Sequence, residues 1–518
     1  MRLDLRNPKW IIPTIVLLLL LRLSIQIMLY QTGFIALTAD DFGRTVVAAK
    51  WSKQPEMYWH GVWLPFHAYL FGTALAFKWE LLWIPRLITL FTGSAAIVFM
   101  YLLAASLFNS PFVGLLSAFF LTINPAHLWL SGGPLTEVPT ATLVFIAVWS
   151  FGLDLENPKG RYLYTAACAL TLANGFRFES WFISLLFSLI LLARGFIGYS
   201  KQRTPLRATL PTVMAAALPW LPPFAWIIGS YVATGNPFAF LDGIKAYKLQ
   251  WYGDNKSYSN YIAPFLKIDP YLTWFGLIAI MVCWYLHRKA KALQWYIAAT
   301  LIPFASYIFL HGGQLEPPGN YIRYLAMYVF LFYPALGYLL IMTLKAIPAK
   351  KLQRSLLILC LVLVATTQIS TAFHFVNDPA ADGLAVGLTI RTLRAQDPAL
   401  AQRPVMIELS YWQYLAIHVG ANDMDRIVYD RILDIDLRKT QSLLLTNDRL
   451  FQACLKSYNI SYVIVKDAQL RTVLEDTLQL HAANTVNGYG FYPVSEAYLK
   501  TVPNNQTLTC PLPVGSGY

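Results

Sequence analysis

Two adjacent carboxylates, Asp40 and Asp41, stand in Thr38-Ala-Asp-Asp-Phe-Gly-Arg44, just past the first apolar run of the chain. Paired acids at a membrane surface can accept a proton from an attacking hydroxyl, hold a divalent cation, or do both. They can also simply satisfy the free backbone N–H groups at a helix start. A third acid, Glu137, lies in Ser131-Gly-Gly-Pro-Leu-Thr-Glu-Val-Pro139 and opens an apolar run. A carboxylate there suits the positive end of a helix, or orients a substrate. Arg177 and Glu179 flank Phe178 in Ala173-Asn-Gly-Phe-Arg-Phe-Glu-Ser-Trp181. They form either a surface ion pair of little energetic weight or a bidentate phosphate ligand with its partner. A fourth group runs from His311 to Tyr324 and includes Glu316, Tyr321 and Arg323. A cation that begins a helix is unfavourably placed for the dipole and calls for a nearby anion. Lys245, Lys248, Trp251 and Tyr252 form a basic-aromatic cluster that suits a phosphorylated sugar or a bilayer interface belt.

These residues are set in an unusually apolar chain. Of 518 residues, 57% are hydrophobic and 13% charged, against roughly 25% charged in soluble proteins. The net charge of +13 sits mostly in short loops between apolar runs, with no basic face of interleaved aromatics, so nucleic acid is set aside as a partner. Runs of about 20 residues place spans near 10–30, 83–106, 111–129, 137–153, 162–176, 181–194, 208–230, 271–287, 292–310, 322–344 and 355–374, about eleven in all. The first, preceded by Arg2, Arg6 and Lys9 and lacking a small-residue cleavage site, reads as a retained signal anchor. With the N-terminus inside, three loops fall on the cytoplasmic side. They carry Arg194, Lys201, Arg203 and Arg207; Arg288, Lys289 and Lys291; and Lys345, Lys350, Lys351 and Arg354, without an acid among them. This is the positive-inside pattern, and it puts every candidate chemical residue on the outer face, where ionisable groups near the bilayer are costly and functional.

Within the first outer segment, 31–82, the aromatic stretch Trp63 to Trp79 reads as helices lying in the interface. After Phe375 the acids return. Val405–Leu409, Ile427–Tyr429 and Tyr462–Val465 read as strands, and Tyr411–Val419 and Leu450–Ser457 as helices, which suggests a small α/β domain. The division is therefore 1–375, a transmembrane catalytic domain, and 376–518, an extracytoplasmic α/β domain. Cys454 and Cys510 both fall in the second; spacing leaves their pairing open.

The layout resembles the GT-C superfamily of membrane glycosyltransferases, within it the protein O-mannosyltransferase and aminoarabinose transferase-like group (glycosyltransferase family 39-like). The resemblance rests on the acidic first outer loop, Trp63-Leu-Pro-Phe-His67, Leu135-Thr-Glu-Val-Pro139, Arg177-Phe-Glu-Ser-Trp181 and Arg323-Tyr-Leu325. It covers residues 10–375. It implies transfer of a mannose-like or other hexose or pentose from a polyprenyl-phosphate carrier to a hydroxyl of a protein, lipid or glycan, by an inverting mechanism. Asp40 or Asp41 is then the base, with Glu137 also catalytic. Arg177, Arg323 and His311 hold the donor phosphate, and Glu179, Tyr324 and Lys248 contact substrate. Some members use a divalent cation such as Mg or Mn, which would sit on Asp40 and Asp41; the resemblance leaves this open, and no other cofactor is implied. The location expected is a bacterial inner membrane. The rivals are a transporter or flippase of lipid-linked saccharides, for which the sequence shows no internal repeat or mid-bilayer charge pairs, and a scaffold that merely presents the C-terminal domain.

Overall fold

The computed structural model describes residues 8–56, 62–158, 160–202, 206–252, 269–311, 318–410, 412–431, 440–502 and 510–512. Two compact units emerge. One comprises residues 1–35, 57–67 and 86–376; the other comprises 36–56, 68–85 and 377–518. Composition alone draws the cut at 375; the structure adds two pieces of the first outer segment to the C-terminal unit.

The first unit is a helical bundle. In chain order its helices are α1 (Pro8–Gln31), then, beyond two helices of the other unit, α4 (Trp83–Leu107), α5 (Pro111–Ile123), α6 (Pro125–Gly132), α7 (Glu137–Glu156), α8 (Gly160–Phe176), α9 (Ser180–Gln202), α10 (Leu206–Ala217), α11 (Leu221–Thr234) and α12 (Ala239–Tyr252). The helices Pro270–Leu286, Lys291–His311, Pro318–Phe330, Tyr333–Lys345 and Lys350–Phe373 complete it. Among the described residues, seven helical segments are long and apolar enough to cross a bilayer, and nine if each of two bent pairs is one span. The 17-residue helices α8 and Pro270–Leu286 occupy the two remaining places of the eleven expected from sequence.

Both bends have local causes. The expected span 111–129 is α5 and α6, turned by 60° at Asn124. Pro125 supplies no N–H for a continuous ladder, and the Asn124 side chain caps α6 by accepting from His127 N, so one helix ends where the next begins. The expected span 322–344 bends by 41° ahead of Pro334. A broken helix in lipid must find partners for the freed backbone groups. Tyr296 donates its hydroxyl to Leu331 O and accepts from Ala335 N, and Ser117 Oγ lies 3.2 Å from Tyr333 O. The two breaks are also joined: Asn124 Nδ2 donates to Tyr333 Oη at 2.7 Å, and Asp269 Oδ1 accepts from Gln368 Nε2 at 3.0 Å and from Leu272 N.

The second unit holds α2 (Asp40–Lys53), α3 (Phe66–Phe77, from Ala68 onward) and the C-terminal α/β part. At 12 residues α3 is about 18 Å long, too short for a hydrocarbon core of about 30 Å. Within this unit residues 36–56 and 68–85 are tied to the C-terminal part by hydrogen bonds: Asp378 N donates to Ala36 O at 3.0 Å, Leu81 N to Asn422 Oδ1 at 2.9 Å, and Trp79 Nε1 to Asn422 O at 3.1 Å. Arg391 pairs with Glu80 at 2.9 Å.

Strands β1 (Val405–Ile407), β2 (Ile427–Tyr429), β3 (Tyr462–Val465), β4 (Asn484–Val486) and β5 (Tyr489–Pro493) form one sheet in the order β2-β1-β3-β5-β4. The first three pair parallel, and β5 runs antiparallel to β3 and β4. The two shorter strands read from sequence, 427–429 and 462–465, are where they were expected; the helices observed are Gln413–Ala421 and Asp448–Ser457. The core beneath the sheet includes Met406, Val428, Phe451, Leu455, Val463, Leu474 and Tyr492. Cys454 and Cys510 form a disulfide with Cα atoms 5.1 Å apart.

Candidate active site

Glu137 is the first residue of α7. Arg177 and Glu179 occupy the turn between α8 and α9, and Arg323 lies in Pro318–Phe330. Arg323 does not begin its helix as expected but is its sixth residue, and the fold brings it together with the start of α7 and the α8–α9 turn inside the first unit. Arg177 Nη1 reaches Glu137 Oε1 at 2.5 Å, and Arg323 Nε reaches the same oxygen at 2.5 Å. Arg177 grips Glu179 with two bonds, Nη2 to Oε1 at 2.5 Å and Nε to Oε2 at 3.1 Å. Its Nη1 also lies 3.4 Å from Thr136 Oγ1. The Arg177 guanidinium stands over the Tyr324 ring at 5.4 Å, a cation–π arrangement. Glu137, Arg177, Glu179 and Arg323 are 3%, 7%, 5% and 5% exposed. The ion pair that sequence reading weighed as a surface pair is thus buried, and it belongs to a four-residue network with two positive and two negative charges.

The turn is built to aim these side chains. In Arg177-Phe-Glu179 the flanking residues face the network, while Phe178 packs the other way, stacked on Phe240 at 5.6 Å and beside Trp181 at 5.1 Å. Asn174, which sequence reading passed over, pins the turn. Its Nδ2 donates to Pro219 O at 2.7 Å, its Oδ1 accepts from Ser180 and Ser184 hydroxyls at 2.8 and 3.0 Å, and its carbonyl accepts from Trp181 Nε1 at 3.0 Å. Tyr328 fixes the far side by donating to Glu179 O at 2.6 Å. The only advance sign of Asn174 is an Asn-Gly pair at the end of an apolar run. Gly175 is required by close approach: a Cβ there would lie 2.3 Å from the Phe66 ring.

The other ends of the same helices carry the basic loops. Asp154, near the end of α7, pairs with Arg194 of α9 at 3.4 Å, and Glu156 accepts from Ala292 N. Since α7 has 20 residues, the charge network and these basic residues are about 30 Å apart.

Asp40 and Asp41 lie in the second unit, as the first two residues of α2. The cap position is taken by Ala39, without a side-chain bond, so both carboxylates lie inside the first turn. Asp41 is 1% exposed, and its Oδ2 accepts from Leu37 N and Thr38 N at 3.1 and 3.0 Å; it fastens the chain ahead of the helix. Asp40 is half-buried. Among the described residues no group of three or more His, Cys, Asp or Glu side chains gathers that could hold a metal ion. The motif residue His67 is fully buried, with Nδ1 at 2.8 Å from Leu64 O and its ring edge-on to Trp63 at 5.7 Å. The side chains of His311 and Lys248 lie outside the described residues.

No protein-family model and no curated protein matches the sequence. Solved structures do. ArnT from Cupriavidus metallidurans, bound to undecaprenyl phosphate, aligns with a TM-score of 0.60 at 11% identity, covering 95% of this chain and 99% of that one. The same enzyme in the apo state gives 0.57 at 10% identity, covering 93% and 98%. The archaeal oligosaccharyltransferase AglB from Archaeoglobus fulgidus, in complex with an inhibitory peptide and a dolichol-phosphate, gives 0.52 at 15% identity, covering 96% and 75%. The chain has the fold of the GT-C glycosyltransferases.

Proposed function

We propose that this protein is a glycosyltransferase that takes a hexose or pentose from a polyprenyl-phosphate carrier and delivers it to a hydroxyl on the extracytoplasmic face of a bacterial inner membrane. The observation that carries the reading is the buried network of Glu137, Arg177, Glu179 and Arg323. Buried ion pairs are poor stabilisers, because desolvation consumes most of the attraction and apolar residues of similar volume hold a fold as well. Four charges at one end of a membrane bundle point instead to a task. In sugar transfer the carrier phosphate is the leaving group, and its growing charge needs fixed cations in a dry site. Arg177 and Arg323 supply them, with Glu137 holding both guanidiniums in place before the phosphate arrives. The lipid phosphates named with the ArnT and AglB structures fit this donor class.

The step is a single displacement: the acceptor oxygen bonds to the anomeric carbon as the carbon–phosphate oxygen bond breaks, inverting the configuration. The hydroxyl proton passes to a carboxylate, and the polyprenyl phosphate departs. Between the two acids, Asp40 is half-buried while Asp41 is 1% exposed and receives two backbone N–H groups, and this difference in exposure favours Asp40 as the base. Sidedness is supported by the basic loops at the opposite end of the bundle from the network, as the positive-inside rule requires. Acceptors that fit are a protein, lipid or glycan hydroxyl.

The test is transfer from a labelled undecaprenyl-phosphate sugar in proteoliposomes, with products identified by mass spectrometry. Asp40→Asn should lower turnover by roughly 100-fold or more, the range of general-base catalysis. Full activity in Asp40→Asn would remove it from that role. Movement of the lipid-linked sugar across the bilayer without any transfer would replace the enzyme reading with a flippase.

A further inference from the structure

A second polar cluster lies inside the first unit, away from the residues given roles above. Arg22 and Gln26 sit one turn apart on α1 and face His127 and Ser131, one turn apart on α6. All four are fully buried. Arg22 Nη2 donates to His127 O at 3.2 Å and to Ser131 Oγ, and Tyr30 Oη donates to Gly132 O at 2.7 Å. The helices are pressed together here: a Cβ on Gly132 would lie 2.6 Å from Gln26 Nε2 and 2.8 Å from the Phe34 ring. Yet Arg22 Nε and Nη1 and both amide atoms of Gln26 have no partner among the described residues. Arg22 is nine residues before the end of α1 at Gln31, about 13 Å down the helix axis.

Unmet polar atoms at such depth are costly, and an arginine stays charged whatever its surroundings. Among the described residues no carboxylate pairs with Arg22. The C-terminal end of α6 offers only about half a negative charge. Water could fill the missing hydrogen bonds but would leave the remaining charge unbalanced; a monovalent anion answers both needs. We propose that Arg22 and Gln26 hold a small inorganic anion, of chloride size, between α1 and α6, beside the His127 ring. The guanidinium and amide N–H groups donate to it, and the apolar rings of Phe34 and Phe330, the latter 5.4 Å from the His127 ring, offer no polar wall for a larger oxyanion. The anion locks the short half-helix α6, whose C-terminal end leads into Glu137.

Thermal unfolding of the full-length protein in detergent tests this, with chloride exchanged for gluconate at fixed ionic strength. Chloride and bromide should each raise Tm saturably, by about 2 °C or more. Arg22→Gln should abolish the dependence, and Gln26→Leu should raise the half-saturating concentration about tenfold. A bromide-soaked crystal should show an anomalous peak between the two helices. Equal Tm in both salts with no bromide peak, or an Arg22→Gln protein that keeps the halide response, overturns the proposal. If Arg22→Gln does not fold, Gln26→Leu and the bromide peak still decide it.

Discussion

Glu137 holds two arginines on one oxygen, and this makes Glu137→Gln the most informative single change. The substitution keeps size and shape but turns a network of two positive and two negative charges into one with a net charge of +1, buried beneath side chains that are 3–7% exposed. Removing one member of a buried pair costs roughly 3–5 kcal/mol, mostly because the remaining charge is left uncompensated. The stability loss should therefore be about that size, and sugar transfer should fall at least as far as the loss of one electrostatic donor implies, roughly 100-fold. The double variant Glu137→Gln/Arg323→Gln restores neutrality. It should recover about half or more of the lost stability while remaining inactive, since a phosphate-holding cation is gone. The assay is Tm in detergent beside turnover in proteoliposomes for wild type, both singles and the double. A double variant with wild-type turnover refutes the phosphate role. A double variant no more stable than Glu137→Gln refutes the charge-balance account.

Burial pushes the His418 pKa down to about 4; Nδ1 donates to Asp423 O, and Nε2 accepts from the Tyr429 hydroxyl. Because the unfolded chain binds the proton at about 6.5, stability should fall as pH drops from about 6.5 towards 4, by on the order of 3 kcal/mol; pH-dependent unfolding of full-length His418→Gln should show a flatter profile. The Cys454–Cys510 bridge closes a 56-residue separation, so Cys510→Ser should cost about 4 kcal/mol, and maleimide labelling of denatured, unreduced wild type should find three of the five cysteines reactive. Gly175→Ala should drive a methyl into the Phe66 ring, 2.3 Å away, shifting the turn that carries Arg177; Tm and turnover should fall together, and an unchanged turnover would contradict the proposed rigidity of that turn.

Hydropathy was enough to find the helices, because a bilayer demands the same solution at every crossing: about 20 apolar residues with their backbone bonds made internally. Short β-branched and aromatic runs likewise revealed the strands at Ile427–Tyr429 and Tyr462–Val465. The bends at Asn124 and ahead of Pro334 were written locally in a proline and a capping residue, but their meeting through Asn124 and Tyr333 was not, since 209 residues separate the two. The same holds for the candidate site. Residue types marked Glu137, Arg177, Glu179 and Arg323 as costly and therefore interesting. Only the packing of the α7 start, the α8–α9 turn and the helix Pro318–Phe330 decided that they form one neutral network rather than separate surface groups.

What the sequence determined by itself was the class of structure and the side of the bundle on which charge gathers, because desolvation acts on each residue independently of its distant neighbours. The tertiary structure decided which charges share a partner, that Asp41 fastens its own backbone while Asp40 is only half-buried, that Cys454 meets Cys510, and that Arg22 lies buried with no carboxylate beside it among the described residues. These are pairwise facts. They depend on distances between residues far apart in the chain, and those distances exist only once the helices have packed.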